Sequence, residues 1–192
     1  RRQDTDLSSE KSTSIGAVMA QMLEPAGLGE QQLSSTLGSI MRGGVDYVDL
    51  YFQTSRSESW TVEDRIIREG SFSLDQGVGV RAVSGEKTGL AYSDELLLPA
   101  LEQAASAARA IARQGDAQAV QAWDRQRAVL RYPSADPTSS LTDAQKTSFL
   151  SELEQSTRDL DDRVEQVNIS LASTQDHVLV PASDGTLAPD IR

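Results

Sequence analysis

Between Ser59 and Leu96 apolar residues alternate with polar ones, and glycines fall at intervals that read as reversals of the chain. A period of two is the signature of half-buried strands, and the spacing predicts an antiparallel meander with one buried face. The alternation begins earlier, in residues 45–54. There Val48, Leu50 and Phe52 share one face, and Tyr47, Asp49, Tyr51 and Gln53 the other. A second strand over residues 59–64 pairs Trp60 with Val62. A third passes through Ile66 and Gly70 and resumes at Phe72 and Leu74. A fourth, residues 77–83, groups Val78, Val80 and Ala82. Ser84-Gly85-Glu86-Lys87 reads as a turn into a strand carrying Leu90 and Tyr92. Gly77 and Gly79 flank Val78 inside a strand pattern, which predicts a bulge or the close approach of another backbone.

The period changes to that of a helix on either side. Val18, Met19, Met22 and Leu23 share a face over residues 15–23, ended by Pro25 and Gly27. Leu33, Leu37, Ile40 and Met41 form one stripe over residues 30–42, ended by Gly43-Gly44. Pro99 suits the first turn of a third helix running to about Arg113, with Leu101, Ala104, Ala105, Ala108 and Ile111 inward and Gly115 as cap. Thr142 and Gln145 form a capping box for a helix to about Asp161, with a stripe of Phe149, Leu153 and Leu160 and Leu150 beside it. Residues 116–140 are weakly patterned, with Pro133 and Pro137 marking a loop. Strands over residues 164–174 and 177–182, then a hairpin turn at Asp184-Gly185, complete the pattern. The fold class is therefore α+β, a largely antiparallel meander sheet packed against helices. Residues 1–27 read as a polar leader with a short helix, and residues 28–192 as the domain.

Composition narrows the function. Aromatic residues are 5% of the chain, so the core must rest on Leu, Ile, Val and Ala. The net charge of −11, with no basic run, lacks the footprint of phosphate neutralisation. Direct nucleic-acid contact is not expected, nor attraction to an anionic membrane. No apolar run reaches the roughly 20 residues of a membrane span. With no cysteine, disulfides are excluded, which fits a reducing, cytoplasmic setting. Both ends read as cuts in a longer polypeptide.

Chemistry is sparse. His177 is the sole histidine, and Asp176 beside it suggests a triad. Successive strand residues point to opposite faces, and no G-x-S-x-G elbow is present, so His177 reads as structural. One histidine without cysteine cannot build a zinc site. Asp159, Asp161 and Asp162 lack the spacing of a calcium loop and read as a solvated helix end. Glu63-Asp64-Arg65 reads as a turn or an edge salt bridge. Gly77-Val78-Gly79 lacks the lysine and helix start of a phosphate loop. Trp60 and Phe72 are expected in the core. Were their strand an edge, its backbone would suit an extended peptide.

Several blocks in order carry a family resemblance: Asp49-Leu50-Tyr51-Phe52-Gln53, Glu58-Ser59-Trp60, Glu63-Asp64-Arg65-Ile66-Ile67, Asp75 through Ala82, and Ser84 through Gly89. Leu101-Glu102-Gln103, Ala107-Ala108-Arg109 and Ser183 through Ala188 continue it. The chain resembles, from about Leu28 to Arg192, the N-terminal domain of the TldD/PmbA family of metallopeptidases, which also bears the older label of modulator of DNA gyrase. The resemblance implies a zinc enzyme that cleaves unfolded or modified peptides, either as a homodimer or with a PmbA/TldE-type sister subunit. The family's zinc ligands, a His-Glu-x-x-x-His helix and a later cysteine, have no counterpart here. No catalytic or metal residue carries over to this chain. What carries over is a place beside the substrate channel and the dimer. Asp75, Gly77, Gly79, Arg81 and Lys87 are the candidate channel-wall or partner-binding residues, with Arg81 suited to a carboxylate. Two other readings remain, a non-catalytic interaction subunit of the same family and a stand-alone serine hydrolase using His177.

Overall fold

The computed structural model describes residues 15–42, 44–112, 120–123 and 135–192. The polar leader, Gly43, the Gly115 cap, Pro133 and much of the 116–140 loop lie outside the described residues. Three helices follow a helical segment at residues 15–22: α1 (Glu30–Met41), α2 (Leu98–Ala112) and α3 (Asp143–Arg158). Five strands, β1 (Tyr47–Glu63), β2 (Ile66–Ser84), β3 (Lys87–Ser93), β4 (Asn168–Pro181) and β5 (Leu187–Ile191), form one sheet in the order β3-β2-β1-β4-β5. The α+β architecture is as the periodicity predicts. The meander covers only β1 to β3, and β4 lies on the other side of β1. The chain divides into two compact units. One comprises Arg1–Thr54, Asp75–Pro133 and Asp176–Arg192, the other Ser55–Leu74 and Ser134–Gln175.

The first unit holds the main core. Val48, Leu50 and Phe52 of β1, Val78, Val80 and Ala82 of β2, and Leu179 of β4 are buried with Leu33, Leu37, Ile40 and Met41 of α1. Ile15, Val18, Met22 and Leu23 join the same cluster. α2 buries Leu101, Ala104, Ala105, Ala108 and Ala112, whereas Ile111 is 57% exposed. The inward stripe thus ends on the small Ala112. The cause is visible at Gly89, which lets α2 lie directly on β3. A Cβ there would sit 2.1 Å from the Ala108 carbonyl oxygen and 3.2 Å from Ile111 Cβ.

Glycines mark fewer turns than their spacing suggests. Gly70, Gly77 and Gly79 all lie inside β2, and the register from Val78↔Ser93 to Ser84↔Lys87 is unbroken, so no bulge interrupts it. Gly77 instead meets the close approach, since a Cβ there would stand 2.9 Å from Ser93 O. The reversal between β1 and β2 falls on Asp64 and Arg65, which both adopt positive φ (47° and 67°). Two left-handed non-glycine residues are costly. In the second unit their polar groups are held: the Arg65 N–H donates to Glu154 Oε1 at 2.8 Å, and Arg158 Nη2 donates to Asp64 Oδ1 at 2.6 Å. The expected break around residues 54–59 is absent as well. Ser57 Oγ lies 3.1 Å from Thr174 Oγ1 and Ser59 Oγ 2.7 Å from Ser71 Oγ. These hydroxyl pairs carry a polar stretch across three strands.

Also in the second unit, α3 has the capping box read from Thr142 and Gln145, but its stripe is reversed. Leu150 is buried, while Phe149, Leu153 and Leu160 are exposed. The buried face carries Lys146 and Glu154 beside Leu150. Lys146 Nζ donates to Glu58 Oε2 and to the Thr138 carbonyl, both at 2.8 Å, and Ser173 Oγ donates to Glu58 Oε1 at 2.8 Å. Ion pairing, invisible to an apolar count, sets which face turns inward. Phe72 is likewise not core: it is 67% exposed. Trp60 is half-buried, its ring over Gly70, where a Cβ would come within 3.1 Å of the indole.

Candidate functional site

The candidate residues of β2 fall at alternate positions. Asp75, Gly77, Gly79 and Arg81 therefore share the face opposite to the buried Val78, Val80 and Ala82. Lys87 does not join them. It opens β3 opposite Ser84, whose side chain belongs to the buried parity, and its own side chain is exposed at the turn. The register sets Tyr92 opposite Gly79 and Leu90 opposite Arg81, so two exposed apolar side chains share the Gly79–Arg81 face.

Arg81 is committed within the chain. Its Nε donates to Asp49 Oδ2 at 3.0 Å and Oδ1 at 3.3 Å, and its Nη2 forms an ion pair with Asp49 Oδ2. The guanidinium carbon also stands 5.7 Å from the centre of the Tyr47 ring, within cation–π range. Hydrogen bonds and charge from Asp49 raise the Arg81 pKa. Burial first, and then the Asp49 charge, push the Tyr47 phenol up. About half of the Arg81 side chain is exposed, against 11% for Asp49. The cation is thus held at the surface by a largely covered anion, a bidentate arrangement that orients it.

Beside this pair lies a shallow depression of about 330 Å³, lined by Tyr51, Gly79, Leu90 and Val180 with Asp49 and Arg81. Gly79 leaves its floor open. A Cβ there would lie no nearer than 4.0 Å to Tyr51, so Gly79 is not forced by contact as Gly77 is. A half-exposed guanidinium next to tyrosine and aliphatic walls suits an extended segment bearing a carboxylate and an apolar side chain. The sequence pattern did not single out Tyr47, Asp49, Tyr51, Leu90 or Val180. The one available signal was Asp49 set among the aromatic and aliphatic residues of positions 47–52.

His177 is buried in β4 opposite Ile191. Asp176, on the other face, pairs its backbone with Arg192 at 2.7 and 3.1 Å. Asp161 is engaged by Arg163, at 2.6 Å between Oδ2 and Nη2. Among the described residues no three His, Cys, Asp or Glu side chains converge to hold a metal ion. The donor set of these residues does not fit a zinc centre. Among them, too, no helix is long and apolar enough to cross a membrane.

The strands and α2 around this face, residues 48–112, match the model of PmbA/TldA metallopeptidase domain 1. The chain carries the first domain of the PmbA/TldD family. Over 180 residues it is 44% identical to a metalloprotease TldD homolog of Haemophilus influenzae, covering 93% of this chain and 37% of that protein. Over 165 residues it is 37% identical to a metalloprotease TldD homolog of Buchnera aphidicola, covering 86% and 34%. The chain therefore spans little more than a third of the curated relatives it matches. The PmbA/TldD fold itself is shared with TldE from Thermococcus kodakarensis, at 14% identity and a TM-score of 0.61 over 83% of this chain and 37% of that one.

Proposed function

We propose that this chain is the N-terminal domain of a TldD-type zinc metallopeptidase that hydrolyses unfolded or modified peptides in the cytoplasm together with a PmbA/TldE-type sister subunit. The match to TldD homologs at 44% identity is the observation that carries the reading. On this reading the zinc ligands and the reacting groups come from outside these residues, whose donors do not suit the metal. The domain's contribution is a surface. The face with Asp75, Gly77, Gly79 and Arg81 walls the substrate channel or meets the partner, and Arg81 supplies the charged contact. Tyr51 and Leu90 supply apolar contact for alternate side chains of an extended peptide.

The alternative is a non-catalytic subunit that only binds partner and peptide. Its support is the fold shared with TldE. Metal content and peptide hydrolysis of the intact protein, with and without a sister subunit, separate the two. Stoichiometric zinc and hydrolysis of an unfolded peptide are expected. Neither metal nor activity in any combination leaves the binding subunit as the reading. The wall is tested by Gly79→Leu, which fills the depression from its floor. KM for the peptide should rise while kcat holds. Unchanged KM and unchanged partner affinity would remove this face from the function.

A further inference from the structure

One arm of the Arg81 guanidinium is uncommitted. Asp49 is met by Nε and Nη2, while Nη1 donates to none of the described residues. A guanidinium is a rigid fork of five N–H donors, so a second acceptor fits at Nη1 while Asp49 holds the other side. The backbone around it has no such freedom. β2 lies between β3 and β1, and β1 between β2 and β4, so the N–H groups of both strands belong to the ladder. A chain-terminal carboxylate is captured in a nest of backbone N–H groups, and these two strands have none to give. The acid that suits Arg81 is therefore a side chain of a passing segment.

The apolar part of the face fixes where a second contact falls. Gly79 stands two residues from Arg81 on the same face, roughly 7 Å along the strand. Tyr51 and Leu90 wall the depression beside it, and the exposed Tyr92 lies opposite Gly79. Side chains two residues apart in an extended peptide share a face at the same spacing. We propose, resting on the reading of this face as a peptide wall, that it selects extended peptides in which an Asp or Glu lies two residues from an apolar side chain. The acid bonds Nη1 of Arg81, and the apolar group settles over Gly79 between Tyr51 and Leu90. The net charge of −11 gives no general preference for acidic peptides, so selection is by position. An acid moved by one residue turns to the opposite side of the peptide and loses the contact.

Three labelled, unfolded peptides of otherwise identical sequence test this on the intact protein with its sister subunit. The first has Glu two residues from Leu, the second Gln in place of that Glu, and the third the Glu moved next to the Leu. KM for the first is expected about tenfold below that for the others, the effect of one charge-assisted hydrogen bond, with kcat alike. Arg81→Lys keeps a cation on the covered Asp49 but has no second arm, and it should close most of that gap. Equal KM for the three peptides, a preference for the acid at either position, or a gap that persists in Arg81→Lys would overturn the proposal. If no peptide is hydrolysed, the peptidase reading fails by itself, and fluorescence polarisation of the same peptides decides the selectivity. A Kd about tenfold tighter for the first peptide upholds it, and equal Kd values overturn it.

Discussion

At Gly89 a single hydrogen in place of a methyl group decides how a helix docks. The backbone of α2 occupies the space that any Cβ would need, so Gly89→Ala must push α2 off β3. Overpacking of this kind costs about 1–3 kcal/mol, and urea unfolding of the variant should show a loss at the upper end. Gly185 is doubly constrained, with φ of +89° and the Ala122 carbonyl 2.7 Å from a built Cβ. Gly85→Ala, at φ of +56° with nothing within 4 Å, carries only the conformational term of about 1–2 kcal/mol. Lys146 shows the opposite logic. Its side chain is 4% exposed and meets a Glu58 that is itself largely covered. Lys146→Ala leaves that carboxylate uncompensated and should cost about 3 kcal/mol in chemical denaturation. The pH dependence has a definite sign. Burial alone raises the Glu58 pKa, but hydrogen bonds from Lys146 and Ser173 outweigh it and hold the pKa below the usual range. Stability from this group is therefore complete above the unfolded value of about 4.3 and is lost as pH falls through the lower folded value. The loss should shrink in Lys146→Met, which a thermal melt series on the acid side measures.

The elements show where periodicity is a sufficient guide. α1 buries the stripe read from Leu33, Leu37, Ile40 and Met41, and the small Thr36 beside them is buried without displacing it. The face carrying Val48, Leu50 and Phe52 follows in the same way. α3 fails because the count of apolar residues omits charge pairing. Leu150→Ala should cost about 2–5 kcal/mol, whereas Phe149→Ala and Leu153→Ala, at exposed positions, should stay within about 0.5 kcal/mol. Equilibrium unfolding of the three variants decides which face of α3 is buried. Strand lengths were hidden for a related reason. The polar run 54–59 and the glycines of β2 are loop signals locally, and pairing with a neighbouring strand overrides them. The β1–β2 reversal carried no glycine because contacts from Glu154 and Arg158, distant in sequence, hold Asp64 and Arg65 in place.

For the molecule as a whole, the acidic balance predicts no retention of duplex DNA by this domain, even at low salt where phosphate contacts are strongest. A gel-shift titration that showed binding would contradict it. The family was legible in the sequence through the ordered blocks from Asp49 to Gly89. Part of the candidate face was legible too. Alternation alone puts Asp75, Gly77, Gly79 and Arg81 on one side of a strand, since side-chain direction has a strict period of two. The α+β class and the main helical stripes followed from the same local rule of period and solvent. Tertiary structure alone decided that Lys87 falls outside that face, that Asp49 holds Arg81, and that Lys146 and Glu154 turn inward. Each depends on which distant segment supplies the counter-charge or the neighbouring backbone, and no local pattern encodes that.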